Sequence, residues 1–278
     1  MIRTIVHHSD RNVRLIENDI VSTFNEIQPG FYDICLDRNG KLEGLAIRDL
    51  PKVYPLLPSD SVDNVNKFID IFISENYKDI LDSNNMLRRD GILLEGDPGI
   101  GKTNYINYYI KRLIENTNAI VFNCSTYSTL LALSAKLQDI RLLQSNLIVI
   151  VLEEFESMLS YNNAESALKN MLDGINGVND QLALATTNYI EKIPESLKNR
   201  KSRFKYVVNL TMSNDKNRVK EWLKYTISGI IKDVTDDDLL HLVDVCHNRS
   251  IDDIKHICLD FKLGLDFLPS KKSIGFGQ

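Results

Sequence analysis

One run of eight residues has the types and the spacing of a phosphate-binding loop. Gly96-Asp97-Pro98-Gly99-Ile100-Gly101-Lys102-Thr103 fits the pattern G-x-x-x-x-G-K-[ST], in which glycines let backbone N–H groups curl around phosphate oxygens. Lys102 would place a positive charge toward the β/γ-phosphates, and the Thr103 hydroxyl can bind Mg²⁺. A helical stretch follows, and its positive dipole end would face the same phosphates. These residues predict a nucleotide site.

Two carboxylates and an amide follow the ends of two predicted strands. Glu153 and Glu154 come directly after the apolar run Leu147 to Leu152, and Asn188 follows the run Leu182 to Thr186. In an open α/β sheet the carboxyl ends of the strands form the ligand edge, beside the phosphate loop. One glutamate can hold Mg²⁺, the other can polarise an attacking water, and the amide can orient that water. The alternative is that the glutamates begin a solvated helix and that Asn188 is a turn residue.

An alternation of strands and helices would bring these residues together. Five short apolar runs within residues 59–211 are typical of buried parallel strands: Gly91 to Leu94, Ala119 to Phe122, Leu147 to Leu152, Leu182 to Thr186 and Tyr206 to Leu210. This alternation predicts an α/β domain with a parallel sheet. Apolar residues at helical spacing also predict one helix from Ser61 to Leu81 that packs on this domain.

Different patterns lie on either side of the α/β domain. Residues 1–58 are predicted to form a small β-rich N-terminal region, with strand-like runs at Asn12 to Ile16, Phe31 to Leu36 and Lys41 to Ile47 and a hairpin turn signal at Asp37 to Gly40. Residues 212–267 have helical spacing and look like a lid behind a nucleotide domain. Residues 268–278 are polar and read as a loose tail.

Composition narrows the class of protein. The chain of 278 residues has 43% hydrophobic and 26% charged residues, which is ordinary for a globular protein long enough to bury a core. A net charge of -5 argues against a general affinity for nucleic acid or anionic membranes. The four cysteines, Cys35, Cys124, Cys246 and Cys258, lack metal-ligand spacing, and no run approaches about 20 apolar residues. We expect a soluble cytoplasmic protein with free thiols and no membrane contact.

The order of these features resembles the AAA family of ATPases. The phosphate loop is similar to Walker A, Ile148 to Glu154 to Walker B, Thr186-Thr187-Asn188 to sensor 1, and Arg200-Lys201-Ser202-Arg203-Phe204 to the paired-arginine motif. Leu172-Asp173-Gly174 also resembles a family motif, and the resemblance spans residues 60–265. It implies a P-loop core with a helical lid, and ATP and Mg²⁺ as cofactors.

The resemblance also implies a role for each motif residue. Thr103 and Glu153 would hold the metal, Glu154 would activate water, and Asn188 would contact the water or the γ-phosphate. Arg200 and Arg203 would reach the γ-phosphate of a neighbouring subunit as arginine fingers, which implies a ring, most simply a hexamer. The alternative for this segment is a solvated basic loop, which we favour for its lysines.

Within the family the Walker B sequence is most similar to bacterial and phage ATPases and to the mitochondrial respiratory-complex assembly ATPases, which end it in Glu-Asp. Here it ends in Glu153-Glu154, and the longer side chain predicts slow turnover, since misplacement by about 1 Å can cost roughly 100-fold in rate. This likeness implies a location in the bacterial cytoplasm and an origin in a bacterium or a phage.

Three functions are compatible with the motifs. The first is an ATP-driven ring that remodels protein partners, although the stretch after the second core strand offers Tyr127 as its only aromatic residue and lacks a pore-loop glycine. The second is a DNA-handling ring, for which Lys136 and Arg141 are the visible basic candidates. The third is a scaffold that binds ATP without useful hydrolysis. Arg249 precedes a predicted helix, where some relatives have a sensor 2 arginine, and a surface arginine is the alternative.

Overall fold

The computed structural model describes residues 3–9, 12–18, 26–200, 203–227, 235–247 and 249–263, the first two segments by their backbone. Lys201, Ser202 and the predicted tail at 268–278 lie outside the described residues. The chain divides into two compact units. The core unit comprises Met1–Tyr54, Ser61–Asp97 and Lys102–Leu210, and the second unit comprises Pro55–Asp60, Pro98–Gly101 and Thr211–Gln278.

The core unit is built on one sheet of nine strands. They are β1 (Arg3–Ser9), β2 (Asn12–Asn18), β3 (Gly30–Leu36), β4 (Leu42–Arg48), β5 (Arg89–Glu95), β6 (Ile120–Asn123), β7 (Ile148–Leu152), β8 (Gln181–Thr187) and β9 (Tyr206–Asn209). Their order is β1-β2-β4-β3-β6-β7-β8-β5-β9. The pairs from β3 through β6, β7, β8 and β5 to β9 are parallel, and the pairs among β1, β2, β4 and β3 are antiparallel.

The central parallel strands form because their residues are apolar on both faces. Every residue of β7 and of β8 is buried, which matches the continuous apolar runs in the sequence. The prediction of an α/β fold with a parallel sheet is confirmed, and each of the five predicted runs coincides with a strand. Because β8 lies between β7 and β5, the residues that follow these three strands share one edge of the sheet.

Nine α-helices are described, together with short 3₁₀ turns. They are α1 (Asp63–Phe72), α2 (Glu75–Ser83), α3 (Lys102–Thr117), α4 (Tyr127–Leu143), α5 (Ala164–Leu172), α6 (Glu195–Lys198), α7 (Lys216–Ile227), α8 (Asp236–Cys246) and α9 (Ile251–Lys262). The prediction of one helix from Ser61 to Leu81 is wrong, since two helices cover this range. Ser74 separates them: its hydroxyl oxygen accepts a hydrogen bond from the Tyr77 N–H and caps α2.

The strands of the N-terminal region continue the central sheet. β3 pairs with β6 from Gly30 to Asp33, and the Asn123 side-chain amide donates to the Asp33 carboxylate at 2.8 Å. The predicted hairpin turn is confirmed: the Asp37 carboxylate accepts from the Lys41 N–H, and Gly40 has a φ of 76°. The division of the chain at residue 58 stays a prediction.

The second unit contains α7, α8 and α9. Ion pairs join α7 to α8, among them Lys216 with Asp244 at 2.6 Å and Lys220 with Asp236 at 3.0 Å. Asp60 accepts hydrogen bonds from Ser213 and Arg218, which ties the short segment Pro55–Asp60 to the start of this unit. The helical pattern predicted after residue 212 is therefore present. No helix in the described parts of the chain has the length and apolar character needed to cross a membrane.

Candidate active site

The phosphate loop follows β5 and leads into α3. Its glycines adopt conformations that L-residues rarely take, with φ of 148° at Gly96, 78° at Gly99 and 103° at Gly101. Within the second unit, the Ile251 N–H donates to the Gly99 carbonyl at 2.9 Å, and a Cβ on Gly101 would lie 2.8 Å from an Ile251 methyl carbon. The loop pattern found in the sequence thus has the backbone shape that requires glycine.

Lys102 is the first residue of α3, and its side chain is buried. The ammonium group donates to the carbonyl oxygens of Gly96 at 2.7 Å and Asp97 at 3.0 Å. Burial lowers the pKa of Lys102 below its ordinary value, and the nearby carboxylates of Glu154, Glu156 and Asp97 oppose that shift. The charge of Lys102 therefore lies among backbone acceptors and acidic side chains at the base of the loop.

Thr103 and Glu153 meet across the sheet edge. The Thr103 hydroxyl donates to the Glu153 carboxylate at an O–O distance of 2.6 Å. Two adjacent oxygen ligands of an octahedral Mg²⁺, each about 2.0–2.1 Å from the metal, lie about 2.9 Å apart. The two oxygens lie slightly closer than this because they share a hydrogen bond, and both are of the kind that Mg²⁺ takes as ligands. The two predicted metal ligands are thus brought together.

Glu154 has an unusual backbone conformation, with φ 47° and ψ 43° in the left-handed region. Its N–H donates to the Thr186 hydroxyl oxygen at 2.9 Å, which attaches the turn after β7 to the end of β8. The side chain is exposed, and its carboxylate accepts a hydrogen bond from the Asn188 side-chain amide at 3.1 Å. The structure thus joins the predicted water activator to the predicted sensor residue.

Glu156 was not identified from the sequence. Its Oε1 accepts a hydrogen bond from the backbone N–H of Asn188 at 3.0 Å, and its Oε2 is buried. The run Glu153-Glu154-Phe155-Glu156 contains a third carboxylate two positions after Glu154. The sequence offers no sign of the partner, because Asn188 follows a different strand.

The two predicted arginine fingers are both bonded to Asp173 of the same chain. Arg203 has a side chain 8% exposed; its Nε lies 2.9 Å from Asp173 Oδ1, and its Nη1 donates to the Ser196 carbonyl. Arg200 is 66% exposed, with Nη1 3.3 Å from Asp173 Oδ2. Within the described residues, neither guanidinium bonds to the phosphate loop or to the glutamates. Asp173, which the sequence placed in a family motif without a role, is their common partner.

Arg249 lies one residue before Ser250, which caps α9. The side chain is half-buried, and its N–H donates to the Cys246 carbonyl at 3.1 Å. This position at a helix start was expected from the sequence. A sensor role for Arg249 stays a prediction.

Comparison with known proteins identifies the type of domain. Residues 92–212 match the model of the ATPase family associated with various cellular activities (AAA). The matched segment begins in β5 and ends after β9, so it includes the phosphate loop, both glutamates, Asn188 and both arginines. No curated protein matches the chain significantly. Together with the parallel sheet, the match supports an AAA-type P-loop ATPase domain that binds nucleotide.

Proposed function

Starting from this AAA-type domain, we propose that the protein is a Mg-ATP-dependent ATPase that works as a ring, most simply a hexamer, and remodels protein partners. The observation that supports the ATPase part of the proposal is the meeting of Thr103 with Glu153 and of Glu154 with Asn188, beside the phosphate loop. A phosphate cradle, a metal-binding pair and an oriented carboxylate are the parts that hydrolysis of a nucleoside triphosphate requires.

Each group has a defined role in the proposed reaction. The backbone N–H groups of the loop, the start of α3 and Lys102 bind the β- and γ-phosphates. Thr103 and Glu153 would hold Mg²⁺, which would neutralise charge on those phosphates. Water attacks the γ-phosphorus while the bond to the β–γ bridging oxygen breaks, so ADP leaves with that oxygen. Glu154 accepts the proton of the water, and the Asn188 amide keeps this carboxylate in place.

In our proposal, an arginine is shared between neighbouring subunits. Stabilisation of the transferring phosphoryl group commonly requires an arginine, supplied by the same chain or by a neighbour. Within the described residues, the arginines of the paired motif are bonded to Asp173 rather than to the site. Arg200 is mostly exposed, and its single ion pair can be exchanged at little cost. In our proposal Arg200 therefore reaches the site of the next subunit, and Arg203 holds Asp173 within its own chain.

A protein partner is favoured over DNA by the basic residues of α4. Lys136 pairs with Asp139 at 3.2 Å, and the Arg141 guanidinium donates to the carbonyls of Gln144 and Asp180. The two basic side chains that the DNA-handling alternative would use are thus engaged within the chain. This leaves few unengaged N–H donors for phosphate contacts on that helix.

The aromatic residue at the start of α4 has a partner suited to polypeptide contact. Tyr127 stacks on Tyr161 with ring centroids 5.1 Å apart, and Tyr161 is 58% exposed. A groove of about 350 Å³ adjoins Tyr127 between α4 and α5, and its lining residues are all uncharged, including Leu131, Asn163 and Asn170. Uncharged amides and aromatic faces suit a polypeptide better than a phosphate backbone.

The proposal is tested by steady-state ATP hydrolysis at several protein concentrations, with double-stranded DNA, single-stranded DNA or an unfolded polypeptide added in turn. We expect Mg-dependent phosphate release whose rate per protomer rises with concentration and with polypeptide, at a slow absolute rate because of Glu153. Stimulation by DNA that fades with salt would instead favour the DNA-handling alternative.

The role of Glu154 is tested by Glu154→Gln, with Lys102→Ala as the comparison. The glutamine keeps the size of the side chain but cannot accept a proton from water, so we expect at least a 100-fold loss of hydrolysis with ATP binding retained. Lys102→Ala should weaken ATP binding itself, as measured by titration with a fluorescent ATP analogue. Normal turnover by Glu154→Gln would remove Glu154 as the water activator, and a wild type without Mg-dependent hydrolysis would leave the scaffold alternative.

A further inference from the structure

Three hydrogen bonds join the turn after β7 to the end of β8. The Glu154 N–H donates to Thr186 Oγ1 at 2.9 Å, the Asn188 N–H donates to Glu156 Oε1 at 3.0 Å, and Asn188 Nδ2 donates to Glu154 Oε1 at 3.1 Å. Asn188 is therefore held twice, through its main chain by Glu156 and through its side chain by Glu154. Both acceptors belong to the same turn.

The two oxygens of the Glu156 carboxylate have different surroundings. Oε2 of this carboxylate is buried and, among the described residues, has no hydrogen-bond partner. A buried acceptor without a partner costs free energy, and the positive charge of Lys102 nearby offsets part of that cost. An apolar residue of similar length would avoid that cost but would leave the Asn188 N–H without its acceptor. The geometry makes sense if the position of Asn188 matters more than the stability lost.

We propose that Glu156 is a positioning residue for hydrolysis: it fixes the backbone of Asn188 so that the side-chain amide stays on Glu154. This role rests on the proposed ATPase function. Glu156 acts through Asn188 and does not touch the reacting atoms. If the Asn188 backbone moved by about 1 Å, the amide would lose its contact with Glu154, and an error of that size can cost roughly 100-fold in rate.

The test compares Glu156→Met with Glu156→Gln. Methionine matches the length of glutamate and lacks a carboxyl acceptor, whereas the glutamine side-chain oxygen can still accept from the Asn188 N–H. We expect Glu156→Met to lower kcat by about 10- to 100-fold with the Kd for a fluorescent ATP analogue changed less than about threefold. Glu156→Gln should keep kcat within about threefold of wild type. Thermal unfolding of each variant shows that both are folded.

A double variant separates positioning from a general structural effect. If Glu156 acts through Asn188, adding Glu156→Met to Asn188→Ala should lower kcat no further than Asn188→Ala alone, because the coupled step is already lost. Additive losses would overturn the proposal, as would equal kcat values for Glu156→Met and Glu156→Gln in an active enzyme. A wild-type protein that does not hydrolyse ATP would overturn the proposed function and this role together.

Discussion

Glu154 shows how one residue can combine a catalytic side chain with a strained backbone. Its φ of 47° lies in the left-handed region, where any residue other than glycine is disfavoured by about 1–2 kcal/mol. The hydrogen bond from its N–H to Thr186 helps to hold that conformation. Strain of this kind persists where the surrounding structure imposes it, and such residues concentrate at active sites. The backbone conformation that accompanies the exposed Glu154 carboxylate therefore lowers the stability of this turn.

This strain can be measured with two variants that both lack the carboxylate. We expect Glu154→Gly to be more stable than Glu154→Ala by about 1 kcal/mol, because only glycine accepts a positive φ without a steric penalty. Chemical denaturation of the two proteins gives the difference in the free energy of unfolding. Neither variant should hydrolyse ATP. Equal stabilities would mean that the backbone at residue 154 relaxes in solution.

At the scale of elements, the strands and helices that could be predicted are those determined by the local spacing of apolar residues. Strands β5, β6, β7 and β8 were found because most of their residues are buried on both faces. Strand β9, at the sheet edge with only Val208 buried, was found from its short apolar run. The break between α1 and α2 was missed because apolar spacing continues up to Ile73, and the cap formed by Ser74 has no effect on that spacing. Strand β1 was also missed.

The sequence predicted the motif residues of the candidate site but not the contacts between distant residues that hold them. Thr103 was found from the phosphate-loop pattern, and Glu153, Glu154 and Asn188 from their places after apolar runs, since strand ends in a parallel sheet share an edge. The role of Glu156 and the common partner of Arg200 and Arg203 were missed. Each depends on one hydrogen bond or ion pair between distant parts of the chain, which no local pattern reports.

A buried acid links the starts of β5 and β9 to α2 and should make stability depend on pH. Burial raises the pKa of Asp90 from 3.8 to about 6, although Lys205, 3.8 Å away, and the Tyr77 hydroxyl both lower it. The folded protein thus holds this proton at a pH where the unfolded chain has released it. The contribution of Asp90 to stability is therefore highest below pH 3.8 and falls as the pH rises to about 6.

We expect Asp90→Asn to remove this dependence on pH. In the wild type it lowers the free energy of unfolding by about 2–3 kcal/mol between pH 4 and pH 7. Denaturation curves of wild type and variant across that range give the difference in unfolding free energy. Asp79→Asn, at an exposed position of α2, is the control and should follow wild type. Parallel curves for Asp90→Asn and wild type would contradict the assignment of this proton to Asp90.

At the scale of the whole molecule, replacing either arginine of the paired motif by alanine should have a different effect on stability and on ATP hydrolysis. Arg203→Ala would leave the mostly buried Asp173 without its closer partner, so we expect a loss of about 3 kcal/mol or more in stability. Arg200→Ala removes an exposed ion pair and should change stability by less than about 1 kcal/mol. If subunits share sites, Arg200→Ala should nevertheless lower ATP hydrolysis at least 100-fold.

The two variants are measured side by side by thermal unfolding and by hydrolysis at rising protein concentration. Mixing Arg200→Ala with Glu154→Gln protein gives a further check, because a mixed ring contains interfaces in which both residues are intact. Recovery of activity on mixing would support a shared site. Wild-type hydrolysis by Arg200→Ala alone would contradict it.

The pairing of β3 with β6 has a consequence for synthesis on the ribosome. The β3–β4 hairpin can form as soon as it emerges, but the strand that covers its other edge begins only at Ile120. At about 5–20 residues per second, the chain needs roughly ten seconds to supply that partner. During this interval the edge of β3 is open to pairing with other nascent chains. Slow translation between these segments should therefore lower the yield of folded protein.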